Sequence, residues 1–174
     1  YGLGRRGSNP EESMALMNEF NSDRVLLQER MVNAFETLKN FDQVDKNKTG
    51  AIGFCFGGKC ALDLARSGED IKGVVSFHGL YDAPTASTGK QLKGTLKIDS
   101  SILILHGYDD PMATPKSMID LADELNSKKA KWQIHAYGNV GHAFTNPEAN
   151  QRESGLFYDQ YADEHSWNEM KNFF

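Results

Sequence analysis

One cysteine lies in a stretch whose glycine spacing is typical of a catalytic turn. Residues 53–58 read Gly-Phe-Cys-Phe-Gly-Gly, so Cys55 has a glycine two residues before it and another two residues after it. This is the cysteine form of the G-x-S-x-G nucleophile elbow, a tight turn that joins a strand to a helix. We expect both glycines to be required, because a Cβ at either position would clash with the neighbouring strand or helix. The pattern predicts a reactive thiol at a helix N-terminus, where the helix dipole and free N–H groups favour the thiolate.

A thiol nucleophile needs a base, and the base needs a carboxylate that orients it. In a parallel α/β sheet such groups lie on loops at the carboxyl ends of strands. Two apolar, strand-like runs end in suitable loops. One is followed by His-Gly-Tyr-Asp-Asp-Pro at 106–111, and the other by Gly-Asn-Val-Gly-His-Ala-Phe at 138–144. The resulting chain order of nucleophile, acid and histidine is that of the α/β-hydrolases.

Among the five histidines of the chain, His142 is the preferred base, because it follows a strand directly and has a glycine before it. His78 and His106 also lie at strand ends. His106 precedes the acid loop, however, and His78 has no acid at a matching place. We interpret His135, inside a strand, and His165, in the last helical region, as structural.

Asp109 and Asp110 compete for the role of the orienting acid. Asp110 is favoured because Pro111 fixes the backbone directly after it, although either aspartate can instead stabilise the loop through an Asx turn. The oxyanion of the reaction should be held by the N–H of Phe56, the residue after the nucleophile. A second donor normally comes from a loop after an earlier strand, and no strand is predicted before residue 49.

The elements around these residues alternate between strands and helices, which predicts βαβ units and a parallel sheet with helices on both faces. A cap at Ser8 or Asn9, followed by Pro10, predicts the first helix, and the run Asn21-Ser22-Asp23 offers the cap of a second helix that ends near Asn40. Strands are predicted at 51–54, 71–78, 101–105 and 131–137, a polar loop at 82–97, and helices at 59–65, from 118 and over 148–174. The apolar face of the last helix should consist of Tyr158, Tyr161, Ala162, Trp167, Met170 and Phe173.

The composition is that of an ordinary globular protein with one domain over residues 1–174. Apolar residues make up 39% and charged residues 25% of the chain, and the net charge is −5. We find no basic stripe for nucleic acid and no run of about 20 apolar residues that would span a membrane. The two cysteines, Cys55 and Cys60, both fall in the elbow and its helix, which argues against a structural disulfide and against a metal site. We therefore expect no cofactor and a cytoplasmic location.

With Cys55, Asp110 and His142 identified, the chain resembles the dienelactone hydrolase family of α/β-hydrolases. The resemblance rests on three runs: residues 53–58, residues 106–111, and Gly-His-Ala-Phe-Thr-Asn-Pro at 141–147. It implies an α/β-hydrolase fold in which Cys55 is the nucleophile, His142 the base and Asp110 its orienting acid. It also implies hydrolysis of a small-molecule ester or lactone by a monomer or homodimer.

Two differences from the family pattern limit what the resemblance implies. The family usually has further strands before the point where this sequence starts, so the chain looks like the C-terminal three-quarters of such a domain. A family glutamate that engages the resting cysteine, and the second oxyanion donor, would lie in that part. Enzymes that act on dienelactone also hold its carboxylate with two arginines; Asn146 stands at one of these positions, and the other matches Arg5 only loosely.

An apolar substrate pocket could be lined by Phe54, Phe56, Tyr81 and Phe144, although core packing is the favoured role for most of them. The principal alternative to an enzyme is a catalytically silent α/β-hydrolase-like binding domain, since the fold does not determine the function. The reactivity of Cys55 would separate the two. A cysteine peptidase is a weaker alternative, because nothing in the sequence indicates a peptide groove.

Overall fold

The structure, a computed structural model, describes residues 1–84 and 97–174. Most of the predicted polar loop at 82–97 therefore lies outside the described residues. The helices in the described residues are α1 (Pro10–Ser22), α2 (Arg24–Lys39), α3 (Phe56–Arg66), α4 (Pro115–Ser127) and α5 (Gln160–Phe173). The strands are β1 (Gly50–Phe54), β2 (Gly73–Phe77), β3 (Ser101–Gly107), β4 (Lys131–Tyr137), β5 (Asn150–Gln151) and β6 (Leu156–Phe157).

The first two helices begin at side-chain caps, as the sequence predicts. The side chain of Asn9 accepts a hydrogen bond of 2.9 Å from the N–H of Glu12. The side chain of Asp23 accepts one of 3.0 Å from the N–H of Leu26. Each bond satisfies a backbone donor that the first turn of a helix leaves free.

The main sheet has the strand order β1-β2-β3-β4, and every neighbouring pair is parallel. The two central strands are almost wholly buried, whereas β1 and β4 form the edges. This is the arrangement that near-continuous apolar runs at 73–77 and 101–105 require. The parallel α/β sheet predicted from the sequence is confirmed.

Helices cover both faces of this sheet. Alternate residues of each central strand point to opposite faces, so apolar side chains lie on both faces and both have to be covered. On one face Val74 and Ile102 lie in a core that includes buried residues of α2, α3 and α4. On the other face Val75 and Leu103 pack in a second core with residues of α5. The loops at the carboxyl ends of the strands emerge between these layers, at one edge of the molecule.

Helix α3 is also held by buried charges that the sequence pattern did not reveal. Asp63 is fully buried and accepts from Arg24 of α2 at 2.8 Å and from Arg66 at 3.1 Å. Arg66 in turn pairs with Glu124 of α4 at 2.6 Å. Removal of one partner from such a network leaves an uncompensated buried charge, so these pairs help to fix α3 and the turn before it.

The predicted helix over 148–174 is wrong over residues 148–159. The helix begins at Gln160, with Asp159 as its cap, and the residues before it form the antiparallel pair β5 and β6 around a short 3-10 turn. Gly155 lies in this turn with φ of 74°, a left-handed conformation that interrupts a helix. Tyr161 and Trp167, which were predicted to lie on the buried face, are 64% and 45% exposed.

Residues 1–49, all of which the structure describes, contain helices and loops but no strand. Among the described residues β1 therefore has a neighbouring strand on one side, and its Ile52 and Phe54 side chains are exposed. No helix within the described ranges is both long enough and apolar enough to cross a membrane.

Candidate active site

Cys55 lies in the turn between β1 and α3, where the elbow pattern predicts it. Its backbone has φ of 53° and ψ of −121°, a conformation that residues with a side chain rarely adopt. Its N–H donates to the carbonyl of Phe77 on β2 at 3.0 Å, which fixes the turn against the neighbouring strand. The turn projects the residue at the carboxyl edge of the sheet, and the side chain is partly exposed.

The prediction that both flanking glycines avoid a clash is right at one position and wrong at the other. A Cβ on Gly53 would lie 2.0 Å from the carbonyl oxygen of Gly57, so no larger residue fits there. A Cβ on Gly57 would meet nothing within 4 Å, because this position faces open space. The close approach instead occurs at Gly58, whose added Cβ would lie 2.3 Å from the Oγ of Ser76 on β2.

The surroundings of Cys55 favour its thiolate. Burial is the largest influence and raises the pKa of the thiol, but the interaction with His142, with help from the N–H of Phe56, outweighs it. The pKa of Cys55 consequently lies below its ordinary value. Cys60, one turn along α3, shows the opposite: burial and the charge of Asp63 raise its pKa to about 12.

His142 and Asp110 form a buried pair on the loops after β4 and β3. The Nδ1 of His142 and the Oδ2 of Asp110 lie 2.7 Å apart, and both residues are 2% exposed. The second oxygen of Asp110, Oδ1, accepts from the N–H groups of Met112 at 2.7 Å and Ala113 at 3.2 Å. Asp109, the alternative acid, is exposed. Of the two aspartates, the structure thus brings Asp110 to the histidine.

The pKa of His142 depends on burial and on two neighbouring residues, Asp110 and Cys55. Burial lowers its pKa, but the hydrogen bond that Nδ1 donates to Asp110 and the interaction with Cys55 raise it to about 9. The Nε2 atom is buried and has no aligned hydrogen-bond partner among the described residues. Nε2 is thus the ring nitrogen that Asp110 leaves unoccupied.

The pair β5–β6 and the turn between its strands fix the backbone of His142, which the sequence pattern did not predict. The N–H of His142 donates to the carbonyl of Gly155 at 2.7 Å, and its carbonyl accepts from the N–H of Phe157 at 3.1 Å. A Cβ on Gly141 would lie 2.2 Å from the Gly155 carbonyl oxygen, so the approach requires glycine. Gly155 itself was the available signal, since glycine inside a helical pattern marks a possible break.

His78 also lies at the site, although the sequence analysis assigned it no partner there. It follows β2 directly and is 3% exposed. Its ring centroid is 5.1 Å from that of His142, and its Nε2 lies 2.8 Å from the Oγ1 of Thr145. The signal available from the sequence was its place at a strand end beside the other two site loops.

The other histidines have partners outside the pair of His142 and Asp110. His106 is fully buried, with its Nδ1 3.1 Å from the hydroxyl of Tyr81. The Nδ1 of His135 lies 3.8 Å from Glu169, and the ring of His165 lies 4.2 Å from that of Tyr161.

The four aromatic residues considered for a pocket divide between core and surface. Tyr81 and Phe144 belong to the core, whereas Phe54 is 40% exposed at the edge of the sheet. Phe56 lines a cavity of about 200 Å³ beside α1, α2 and the N-terminal loop. The other lining residues of that cavity are Tyr1, Gly2, Phe20, Leu27, Arg30, Met31 and Cys60.

The two residues at or near the family's arginine positions have local partners. Arg5 pairs with Glu19 at 2.8 Å, and the side chain of Asn146 accepts from the N–H of Glu148 at 3.0 Å. In the described part of the chain, no cluster of three or more His, Cys, Asp or Glu residues has a geometry that would hold a metal ion.

Comparison with known proteins identifies relatives of this chain. The model of the dienelactone hydrolase family matches residues 1–174. An uncharacterized protein of Caenorhabditis elegans is 37% identical over 143 residues, which are 81% of this chain and 87% of the relative. A probable 2-oxo-3-(5-oxofuran-2-ylidene)propanoate lactonase of Bradyrhizobium is 26% identical over 136 residues, which are 76% of this chain and 54% of the relative.

A solved structure shows the same similarity in three dimensions. A dienelactone hydrolase-like promiscuous phosphotriesterase from metagenomic libraries aligns with a TM-score of 0.82 at 34% identity, over 94% of this chain and 66% of that one. The α/β-hydrolase fold predicted from the sequence, and the resemblance to the family, are confirmed. The chain spans about half the length of the bacterial lactonase and about two thirds of the phosphotriesterase.

Proposed function

The chain belongs to the dienelactone hydrolase family, and from that premise we propose that it hydrolyses an ester or lactone through Cys55, His142 and Asp110. The observation that carries most weight is the 2.7 Å contact between the Nδ1 of His142 and the Oδ2 of Asp110. It holds the imidazole in one tautomer and leaves Nε2 free for the thiol. Nucleophilic catalysis by a triad requires this, because the acid orients the base while the base accepts the proton of the nucleophile.

The electrostatics of the pair favour attack by a thiolate. The pKa of Cys55 is lowered and that of His142 is raised to about 9, so the proton of the thiol is drawn towards the imidazole. The thiolate sulfur would attack the carbonyl carbon, and the electron pair of the C=O bond would move to the oxygen. We assign the stabilisation of this oxyanion to the N–H of Phe56, which lies in the first turn of α3 directly after the nucleophile.

The intermediate would then collapse to a thioester on Cys55. The imidazolium of His142 gives its proton to the leaving alkoxide, and Asp110 stabilises the charged ring until that transfer. A water molecule deprotonated by His142 attacks the thioester, which releases the carboxylic acid and restores the thiolate and the imidazolium. With a lactone the leaving alkoxide stays in the same molecule, so a single hydroxy acid is formed.

The substrate is proposed to be a neutral ester or lactone. Arg5 is paired with Glu19, and Asn146 carries no charge and holds a backbone N–H. Neither side chain offers a free cation for a substrate carboxylate.

The test is hydrolysis of a panel by the protein and two matched cysteine variants. The panel contains a chromogenic short-chain acyl ester, a neutral lactone, a dienelactone and a phosphotriester. Cys55→Ala should abolish turnover, while Cys60→Ala, which removes the thiol with the raised pKa, should keep it. Equal turnover in the Cys55→Ala variant would refute the assignment, and faster turnover of dienelactone than of the neutral lactone would refute the substrate class.

A catalytically silent binding domain is the alternative, and the thiol distinguishes it from an enzyme. A reactive, low-pKa thiol at Cys55 is expected of a hydrolase and serves no purpose in a silent scaffold. Alkylation of Cys55 at pH 7 that is no faster than that of a free cysteine, together with no turnover of any panel member, would favour the silent domain.

A further inference from the structure

We propose that His78 is a positioning residue that holds the imidazole ring of His142 in its productive orientation. The inference rests on the proposed function of Cys55 and His142 as a reacting pair. His78 acts through the ring and the loop of His142 and not through the thiol. Three independent observations carry it: a hydrogen bond to the histidine loop, an edge-to-face ring contact, and an unfavourable local environment that packing alone does not explain.

The first observation is a bond that ties the histidine loop to β2. The Nε2 of His78 lies 2.8 Å from the Oγ1 of Thr145, which is three residues after His142 in the same loop. His78 is itself anchored, because its N–H donates to the carbonyl of Leu105 on β3 at 2.8 Å. The loop of His142 is thereby connected to the two central strands of the sheet.

The second observation concerns rotation of the catalytic ring. Asp110 binds His142 only at Nδ1, and a single hydrogen bond allows the ring to turn about its own axis. The ring of His78 meets that of His142 at a centroid distance of 5.1 Å and an interplanar angle of 67°. Its ring centroid is also 5.0 Å from that of Phe144, with an interplanar angle of 79°, so the ring of His78 packs between two rings of the same loop. A ring held in this way restricts the direction in which Nε2 of His142 can point.

The third observation is that the fold accepts unfavourable features at His78. The side chain is 3% exposed, and its Nδ1 has no partner among the described residues. Its φ of 35° lies in the region that residues with a side chain avoid. An apolar residue would pack here without an unsatisfied nitrogen, so the polar atom that does form a bond, Nε2 to Thr145, gives the histidine a reason to be present.

His78 is suited to positioning because it stays neutral. Burial and the charge of His142 lower its pKa to about 3, against a smaller opposite influence of Asp110. These two residues are the titratable groups that act on it, and the remaining ring contacts, Phe54 and Phe144, carry no charge. Substitution of His78 by another ring therefore removes no charge from the site. Any change in the pKa of Cys55 would report the geometry of His142 and not a lost charge.

The test compares His78→Phe, which keeps a ring but loses Nε2, with Thr145→Val, which keeps the shape but loses the hydroxyl. All variants carry Cys60→Ala, so that Cys55 is the remaining thiol. The pH dependence of alkylation by iodoacetamide gives the pKa of Cys55 without any substrate. Both variants should raise it by about half a unit to one unit, the size expected for one lost hydrogen bond. In a His142→Gln background, neither change should shift it further.

Turnover provides the second readout. On whichever panel substrate is hydrolysed, both variants should lower kcat about three- to tenfold with little change in KM, because orientation of the base is impaired and binding is not. The double variant should be no worse than His78→Phe alone, since the two side chains act through one bond. Thr145→Ser should restore the parent values.

The two proposals fail in different ways. An unchanged pKa of Cys55 in both folded variants, with kcat unchanged, would overturn the positioning role even if the protein is an active hydrolase. A shifted pKa with no turnover of any substrate would leave the positioning role standing and would remove the proposed function. If His78→Phe does not fold, as judged by its circular dichroism and Tm, the comparison of Thr145→Val with Thr145→Ser decides the question alone.

Discussion

The Oδ2 of Asp110 and the Nδ1 of His142 lie 2.7 Å apart in a contact that is almost wholly shielded from solvent. The two residues are 32 positions apart in the chain and come from loops after neighbouring parallel strands. Because the other oxygen of Asp110 is occupied by the N–H groups of Met112 and Ala113, the carboxylate has little freedom to turn away. The contact distinguishes Asp110 from Asp109, the other candidate acid.

Asp110→Asn should lower kcat by about three to four orders of magnitude, because an amide cannot hold the imidazole in the correct tautomer or stabilise its charged form. Asp109→Asn is the matched control, since Asp109 is the exposed neighbour with the same side chain. It should change kcat by less than about twofold. Steady-state kinetics on the best panel substrate would check both, and a larger loss in the Asp109 variant would reverse the assignment.

The pH profile of kcat/KM should be bell-shaped. The thiolate is present above the lowered pKa of Cys55, and the imidazolium is lost as the pH rises through the pKa of His142, about 9. Activity should therefore rise through the first value and fall near the second. In Asp110→Asn the alkaline limb should move to lower pH, because the group that raises the pKa of His142 is gone. A limb that stays near 9 in this variant would assign it to another group.

Alanine substitutions at the two glycines that flank Cys55 should have different effects on the stability of the protein. Gly53→Ala places a Cβ 2.0 Å from a backbone oxygen and should destabilise the protein by more than about 3 kcal/mol. Gly57→Ala meets no neighbour and lies in α3, where alanine is the better helix former, so it should be neutral or stabilising by up to about 1 kcal/mol. Urea unfolding measures both changes. Equal destabilisation of the two variants would contradict the geometry of the turn.

Cys55→Gly should be more stable than Cys55→Ala by about 1 kcal/mol. The backbone at this position has φ of 53° and ψ of −121°, which costs energy for any residue with a Cβ and little for glycine. Neither variant should hydrolyse any substrate. Unfolding free energies of the two variants, measured side by side, test this prediction, and a less stable glycine variant would show that the turn is not strained.

Acid should destabilise the protein partly through His78. The pKa of this residue is about 3 in the folded protein and about 6.5 in the unfolded chain, so between these values the unfolded state binds the extra proton. Its contribution to stability is complete above about pH 6.5 and is lost as the pH falls towards 3, by at most about 1.4 kcal/mol per pH unit.

His78→Phe cannot titrate, so its unfolding free energy should fall less steeply between pH 6.5 and 4 than that of the parent. Thr145→Val keeps His78 and should retain the steep fall. Urea unfolding at several pH values would measure these slopes. Parallel slopes in the parent and the His78 variant would show that burial of this histidine does not contribute to acid sensitivity.

The sequence by itself was sufficient to predict most of the helices and strands and to propose which residue types would react. The caps at Asn9 and Asp23, the apolar runs of the central strands and the glycine spacing around Cys55 are local patterns, and local patterns determine where helices, strands and tight turns form. The order of cysteine, aspartate and histidine at strand ends was sufficient to propose a triad, because parallel strands bring their carboxyl ends to one edge of the sheet.

Only the tertiary structure decided which of these residues meet. The choice between Asp109 and Asp110 depends on the direction in which one loop turns, and two adjacent residues are equivalent to a sequence pattern. Two contacts of His142 join separate segments of the chain. Its backbone forms hydrogen bonds with Gly155 and Phe157, and its ring packs against that of His78. Such contacts arise when strands and helices pack, so no local pattern encodes them. In the same way, the open space beside Gly57 depends on where the neighbouring elements lie after packing.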